Sequence, residues 1–353
     1  MIYSSSEKDV TGALSKKTVN ERDLAALLSP AAESYLERVA ALSRAVTLRR
    51  FGKTIKIYAP LYLSNYCSNS CVYCGFSRKN DINRIALSAN EIEEEAQAVS
   101  KSGIKNVILV TGDNPSKFSS DNLIEAVTIC RKYFPFISVE VPTMEKRVYS
   151  ALCEAGAGGL TMFQETYIER LYPDFHPSGP KADFIKRLDT PEIAASAGMR
   201  FIGLGALFGL ADFRLDAFYM SLHAKYLAGK YWRSHISASF PRIRRSAGCF
   251  TPAFEVKDRN LFQMIFAYRL FFHDGGVNIS TRESPFLRDK LALLGATTMS
   301  AGSKTEPGGY AKAVQNADQF SIEDNRSVNE FCGALKNMGM EPVMKDWDDV
   351  MNL

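Results

Sequence analysis

The 353-residue chain is short of several things, and each shortage narrows its role. No apolar stretch reaches the ~20 residues that a membrane-crossing helix needs. The first twenty residues have neither an apolar signal core nor the arginine-rich, acid-poor look of a transit leader, since Glu7 and Asp9 interrupt them. The expected location is therefore a reducing cytoplasm, without a membrane partner. Histidine is scarce, at four residues, and His223, His235 and His273 have no carboxylate or cysteine at ligand spacing, which makes them packed or surface residues. The net charge is only +4 and is spread along the chain. No Lys/Arg-rich block carries interleaved aromatics, and Arg242-Ile-Arg244-Arg245 is too short for nucleic acid, reading instead as a solvated or anion-facing loop. Internal repeats and low-complexity tracts are lacking.

What is present is a cysteine triad, Cys67-Ser-Asn-Ser-Cys71-Val-Tyr-Cys74, in a C-x3-C-x2-C arrangement. Thiolates are soft ligands for iron–sulfur clusters or zinc, and a short loop lets three converge on one inorganic unit. The spacing arises by chance in roughly a few chains per thousand. Cys130, Cys153, Cys249 and Cys332 are scattered singly, so a four-iron cluster would keep one iron without a protein ligand. Catalytic sites keep such an open position, whereas structural sites close it. A zinc loop is the alternative and would need a fourth ligand; the nearest histidine in sequence is His176.

Around the triad the chain alternates. Residues 1–20 are polar and expected to fray, and a helical stripe runs from Glu21 to Arg50 with a restart at Ser29-Pro30, flanking or plugging one end of the fold. Strand-like runs follow at Ile57–Leu63, Val107–Val110, Ile137–Val141, Gly159–Phe163, Phe201–Leu204, Ile236–Phe240, Val277–Ser280 and Thr297–Ser300. Helix-period segments lie between them. One sets Ile92, Ala96 and Val99 opposite Glu93–Glu95; another spaces Met144, Val148 and Leu152; a third spaces Leu215, Tyr219, Leu222 and Tyr226. Thr190-Pro191 reads as a cap with proline at a first helical position. Eight such units over about 250 residues predict an α/β, TIM-type (β/α)8 barrel, with an open doubly wound sheet or a six-unit barrel as alternatives. The expected division is an N-terminal helical extension (1–50), a barrel (51–304) and a C-terminal extension packed on it (305–353), with a short strand or extended tail at Glu341–Met344.

Barrel chemistry sits at the carboxyl ends of the strands, which puts the residues after each run under scrutiny. The cysteine loop follows the first run. Thr111-Gly112-Asp113 follows the second, with a glycine for close approach and acceptors suited to an ammonium. Glu165 follows the fourth, with Arg187 a helical segment later, either as ligand groups or as a structural ion pair. Gly203-Leu-Gly205-Ala-Leu-Phe-Gly209 follows the fifth and reads as a close-approach turn rather than a phosphate cradle. Arg282 follows the seventh, either paired with Glu283 or clamping a substrate carboxylate, and Ser300 and Ser303 follow the eighth.

The triad with an aromatic before its last cysteine, followed by Gly75-Phe76, resembles the signature of radical S-adenosylmethionine enzymes. The longer run from Pro60 to Phe76 resembles their aromatic-amino-acid lyase branch, in particular the tyrosine lyases of thiazole biosynthesis, the 2-iminoacetate synthase family. That resemblance spans about Asp23 to Trp347. It implies a [4Fe-4S] cluster on Cys67, Cys71 and Cys74 that chelates S-adenosylmethionine. It also implies Tyr73 at the adenine, Thr111, Gly112 and Asp113 at the amino group, Glu165 at the ribose, Arg187 at the methionine carboxylate and Gly205 beside the nucleoside. Asp113 departs from the Glu expected in close relatives. Arg282, Ser300 and Ser303 would grip L-tyrosine. The implied activity is hydrogen abstraction by a 5′-deoxyadenosyl radical and Cα–Cβ cleavage to 2-iminoacetate and p-cresol. The implied partners are a thiazole synthase and an external one-electron donor of flavodoxin or ferredoxin type. Hydrogenase maturases and tryptophan lyases of the same branch are the rivals; the former carry further C-terminal cysteines, whereas this chain ends at Leu353 with only Cys332 beyond residue 250.

Overall fold

The computed structural model describes residues 1–243, 250–252, 254–312 and 318–344. Three helices come first: α1 (Glu7–Leu14), α2 (Glu21–Leu28) and α3 (Leu36–Phe51). Strands and helices then alternate through β1 (Thr54–Ser64), α4 (Ala89–Lys101), β2 (Asn106–Thr111), α5 (Ser120–Cys130), β3 (Phe136–Glu140), α6 (Lys146–Ala155) and β4 (Ala157–Glu165). The second half runs α7 (Tyr172–Phe175), α8 (Phe184–Ser196), β5 (Phe201–Ala206), α9 (Phe213–Lys230), β6 (His235–Ser239), α10 (Asp258–Phe271) and β7 (Gly276–Ile279). It closes with α11 (Pro285–Leu294), β8 (Thr298–Ser300), α12 (Val328–Asn337) and β9 (Glu341–Val343). All eight expected strands are present. They pair in parallel in sequence order, and β1 joins both β2 and β8, so the sheet is a closed barrel. The ninth strand pairs with the amino-terminal end of β1, Thr54 against Glu341, outside the closed ring.

Phase along each strand divides the core. In β3, Ile137 and Val139 are fully buried under the helical shell, while Phe136, Ser138 and Glu140 line the interior. The same alternation sets Tyr58, Thr161, Ser239, Asn278 and Ser300 inside, against Ile57, Leu160, Ala238, Val277 and Met299 outside. Branched apolar residues usually fill a barrel interior. Here the inward positions are largely polar, and a cavity of about 160 Å³ remains. Its amino-terminal floor is aromatic: Phe136 and Phe201 meet edge to face at 6.1 Å, and Lys56 Nζ lies 4.1 Å from the Phe136 ring.

Four local expectations change. Residues 1–20 are ordered rather than frayed, because Ser6 and Asp9 form a capping box at the start of α1 and Val10, Ala13 and Leu14 are buried. Thr190 and Pro191 lie inside α8, whose cap is Asp183, accepting from the Lys186 amide; Thr190 Oγ1 donates to the Lys186 carbonyl at 2.7 Å. The Tyr219 and Tyr226 stripe of α9 faces solvent, because Phe213, Ala217, Met220, Ala224 and Leu227 form the buried face. Glu95 is buried rather than solvated, its carboxylate accepting from the Tyr310 and Ala311 amides. The N-terminal helices flank the barrel: α2 packs on α9 and α10, and α3 on α10 and α11.

Candidate active site

The cysteine loop leaves β1 at the carboxyl rim and is tied down on every side. Arg84 donates to the carbonyls of Asn65, Phe76, Ser77 and Asn80 at 2.7–3.1 Å. Ser68 N donates to Asp113 O at 2.7 Å, and Asn69 Nδ2 donates to Asp113 Oδ2 at 3.0 Å. A Cβ on Gly112 would lie 2.2 Å from the Tyr66 carbonyl, so this glycine admits the loop backbone. Gly75 serves the same end on the other side, where a Cβ would sit 2.3 Å from the Asp318 carbonyl.

The three thiols of this loop are near enough to affect one another. Burial, then Cys71 and Cys67, pushes the Cys74 thiol up to about 12, and burial also raises Cys71. Cys71 and Cys74 stay protonated until a metal displaces the protons. Cys130, Cys153 and Cys332 belong to α5, α6 and α12, and Cys249 lies outside the described residues. Among the described residues no group of three or more His, Cys, Asp or Glu is arranged for a single metal ion. Three soft thiols on one loop suit an iron–sulfur cluster.

Tyr73 is positioned by His176, which the sequence singles out only for its nearness to the triad. The imidazole is buried and stacks on the Tyr172 ring, with centroids 4.0 Å apart. His176 Nδ1 lies 3.0 Å from the Tyr172 carbonyl and so carries the proton; Nε2 then accepts from the Tyr73 hydroxyl at 2.8 Å. Burial, then the charge of Lys181, lowers the imidazole to about 3, which keeps it neutral.

At the end of β4 the pairing with β5 slips between Phe163 and Glu165. Glu165 takes φ 72°, a left-handed conformation found at no other non-glycine among the described residues. Such strain costs about 1–3 kcal/mol and concentrates at functional sites. Its carboxylate accepts from Lys181 Nζ, with Arg187 Nη2 at 3.8 Å. Burial opposes ionisation, but Lys181 and then Arg187 outweigh it and hold the carboxyl below its usual range. Arg187 Nε donates to the Phe163 carbonyl at 2.5 Å. The sequence does not mark Lys181: it lies in a single 3-10 turn, Pro180–Ala182, and its amide donates to Asn69 Oδ1 of the cysteine loop at 2.8 Å.

Tyr73, Cys74, Glu165, Arg282, Ser300 and Ser303 line one cavity. Thr111, Gly112 and Asp113 sit against the cysteine loop outside that lining, and the open side of Gly205 is filled by the Phe163 ring, 2.2 Å from a would-be Cβ. Ser300 Oγ accepts from the Thr281 amide at 3.1 Å, whereas Ser303 Oγ is buried with no partner among the described residues. Glu283 does not pair with Arg282. It takes Arg242 instead, Nε to Oε1 at 3.0 Å, and Arg242 also reaches Asp258 at 2.9 Å. Arg242 is therefore a structural ion-pair residue rather than part of a solvated basic loop; Arg244 and Arg245 lie outside the described residues. The Arg282 guanidinium stacks 3.3 Å from the Phe320 ring centroid. Glu140, another lining residue, was also missed, although the inward phase of β3 (Phe136, Ser138, Glu140) marks it.

A closed parallel barrel whose first strand feeds a three-cysteine loop defines the radical S-adenosylmethionine class, and the Radical SAM superfamily model matches residues 61–219. The Biotin and Thiamin Synthesis associated domain matches residues 239–341. The chain is 41% identical to 2-iminoacetate synthase of Escherichia coli (strain K12), over 97% of this chain and 91% of that protein. It is 41% identical to the Salmonella typhimurium 2-iminoacetate synthase, over 96% and 90%. The maturase HydG of the FeFe-hydrogenase from Carboxydothermus hydrogenoformans superposes with a TM-score of 0.89 at 30% identity, covering 96% of this chain and 79% of that one. The chain belongs to the 2-iminoacetate synthase family.

Proposed function

We propose that this protein cleaves the Cα–Cβ bond of L-tyrosine to 2-iminoacetate and p-cresol for thiazole formation, consuming S-adenosylmethionine. The observation that carries the reading is one cavity shared by a cluster-loop cysteine, Cys74, and an arginine, Arg282, that makes no ion pair among the described residues. Cys67, Cys71 and Cys74 would hold a [4Fe-4S] cluster, and with S-adenosylmethionine bound it supplies reductive cleavage to methionine and a 5′-deoxyadenosyl radical.

The chain's own residues bind and orient. Tyr73, fixed by His176, would flank the adenine; Glu165 would take the ribose hydroxyls and Arg187 the methionine carboxylate. Thr111, Gly112 and Asp113 would serve the amino group, directly or by holding the loop, and Gly205 would border the nucleoside through Phe163. Arg282, with Ser303 and Ser300, would clamp the tyrosine carboxylate. Holding the amino nitrogen beside the reacting carbon, away from water, is the protein's contribution to rate. The proposed setting is the cytoplasm, with a flavodoxin- or ferredoxin-type donor and a thiazole synthase receiving the labile imine. No helix among the described residues is long and apolar enough to cross a membrane.

Anaerobic turnover of the reconstituted enzyme with tyrosine, tryptophan and phenylalanine tests the proposal. Deoxyadenosine and p-cresol that depend on tyrosine are expected; turnover with tryptophan alone would overturn the substrate assignment.

A further inference from the structure

Three carboxylates line the cavity: Glu140, Glu165 and Glu283. Glu165 is engaged by Lys181 and Arg187, and Glu283 by Arg242. Glu140, the last residue of β3, makes no side-chain hydrogen bond or ion pair among the described residues. Arg282 is its counterpart in charge: its guanidinium rests on Phe320 and makes no ion pair among the described residues. Each of the two feels the other's field, yet they do not touch. Unpaired charges in a poorly solvated space are costly, and two of opposite sign across a gap are complementary to a zwitterion.

We infer that Glu140 binds the α-ammonium of the amino-acid substrate while Arg282 takes its carboxylate. This rests on the reading that Arg282 holds an α-amino acid. Asp113, the other carboxylate considered for an ammonium, already accepts from Asn69 and is not part of the cavity wall. Glu140 faces the charges of Glu165, Arg282, Lys181 and Arg187. Tyr58 and Tyr62 of β1 lie within its field. Burial and Glu165 raise its carboxyl to about 7, which makes it a ready acceptor for one ammonium proton. In that transfer an N–H bond breaks and an O–H bond forms, leaving a neutral amine and a neutral carboxylic acid.

Equilibrium binding to the reconstituted holoenzyme with S-adenosylmethionine, without reductant, tests the assignment. The ligands are L-tyrosine and 3-(4-hydroxyphenyl)propanoate, which lacks the amine. The wild type should prefer tyrosine by about 10- to 100-fold, as expected for a charge-assisted hydrogen bond. Glu140→Gln should erase that preference while leaving affinity for the propanoate and for S-adenosylmethionine unchanged. A preference that survives in the variant, or a loss of S-adenosylmethionine affinity instead, overturns the role of Glu140 alone. A wild type that does not bind tyrosine overturns the substrate reading as well.

Discussion

Arg282 and Glu283 adjoin in sequence but face different partners, and the difference makes the cavity responsive to pH. With Glu283 committed to Arg242, no carboxylate neutralises Arg282 at contact distance among the described residues, and Glu140 stays unpaired across the lumen. Burial, then Glu165, raises the Glu140 carboxyl from 4.5 to about 7. A carboxyl whose folded pKa is raised contributes stability that is fully present below about pH 4.5 and lost as pH rises through about 7. Glu140→Gln removes this dependence. In the substrate-free protein, the variant should therefore gain on the wild type by on the order of 2 kcal/mol between pH 5 and pH 8, allowing for water in the cavity. Thermal midpoints across that range measure it; a pH-independent difference between the two proteins would contradict the assignment.

The loop that follows β1 is an element held from outside itself. Arg84 gathers four of its carbonyls, so Arg84→Ala should loosen it by about 2–4 kcal/mol locally. The expected readout is faster amide exchange over residues 65–80 and reduced iron incorporation, with unchanged far-UV circular dichroism. Gly112→Ala should also lower iron content, because its Cβ would strike the Tyr66 carbonyl. Retention of full iron loading in Gly112→Ala would count against this account of the glycine. Much of this scale was legible in sequence: every barrel strand has an apolar outward phase, and the three cysteines share one short loop. Less legible was anything set by a distant partner. Lys181 and His176 join the site through a segment without periodicity, and Glu95 is buried only because residues 310–311 bring amides to it. The exposed stripe of α9 shows the same limit, since small residues such as Ala217 and Ala224 form the packed face while Tyr226 reaches outward to Glu192.

At the scale of the molecule, the chain after β8 closes the barrel mouth. Tyr310 Oη donates to the Pro60 carbonyl at 2.8 Å, Gly75 N donates to Gln319 O at 3.1 Å, and Tyr62 Oη donates to Gln319 Oε1 at 2.7 Å. This strap also supplies Phe320 to Arg282, which makes the cavity roof part of the site. Its anchor is Asp324, which meets Arg288 and accepts from Arg326 Nη2 at 2.7 Å. Both members of the Arg288–Asp324 pair are almost inaccessible, at 1% and 0%. Removing one partner of a buried pair leaves an uncompensated charge, at a cost of about 3–5 kcal/mol. Asp324→Ala should therefore lower the thermal midpoint and admit solvent at Phe320, seen as faster exchange over residues 318–324. Burial opposes ionisation of Asp324, but Arg326 and Arg288 hold its carboxyl below the ordinary range. Its contribution is thus present above about pH 3.8 and lost as pH falls through the depressed value, so the wild-type strap should loosen in acid. In Asp324→Ala, exchange over the strap should already be fast at neutral pH; a strap equally protected in both proteins would show that the anchor lies elsewhere.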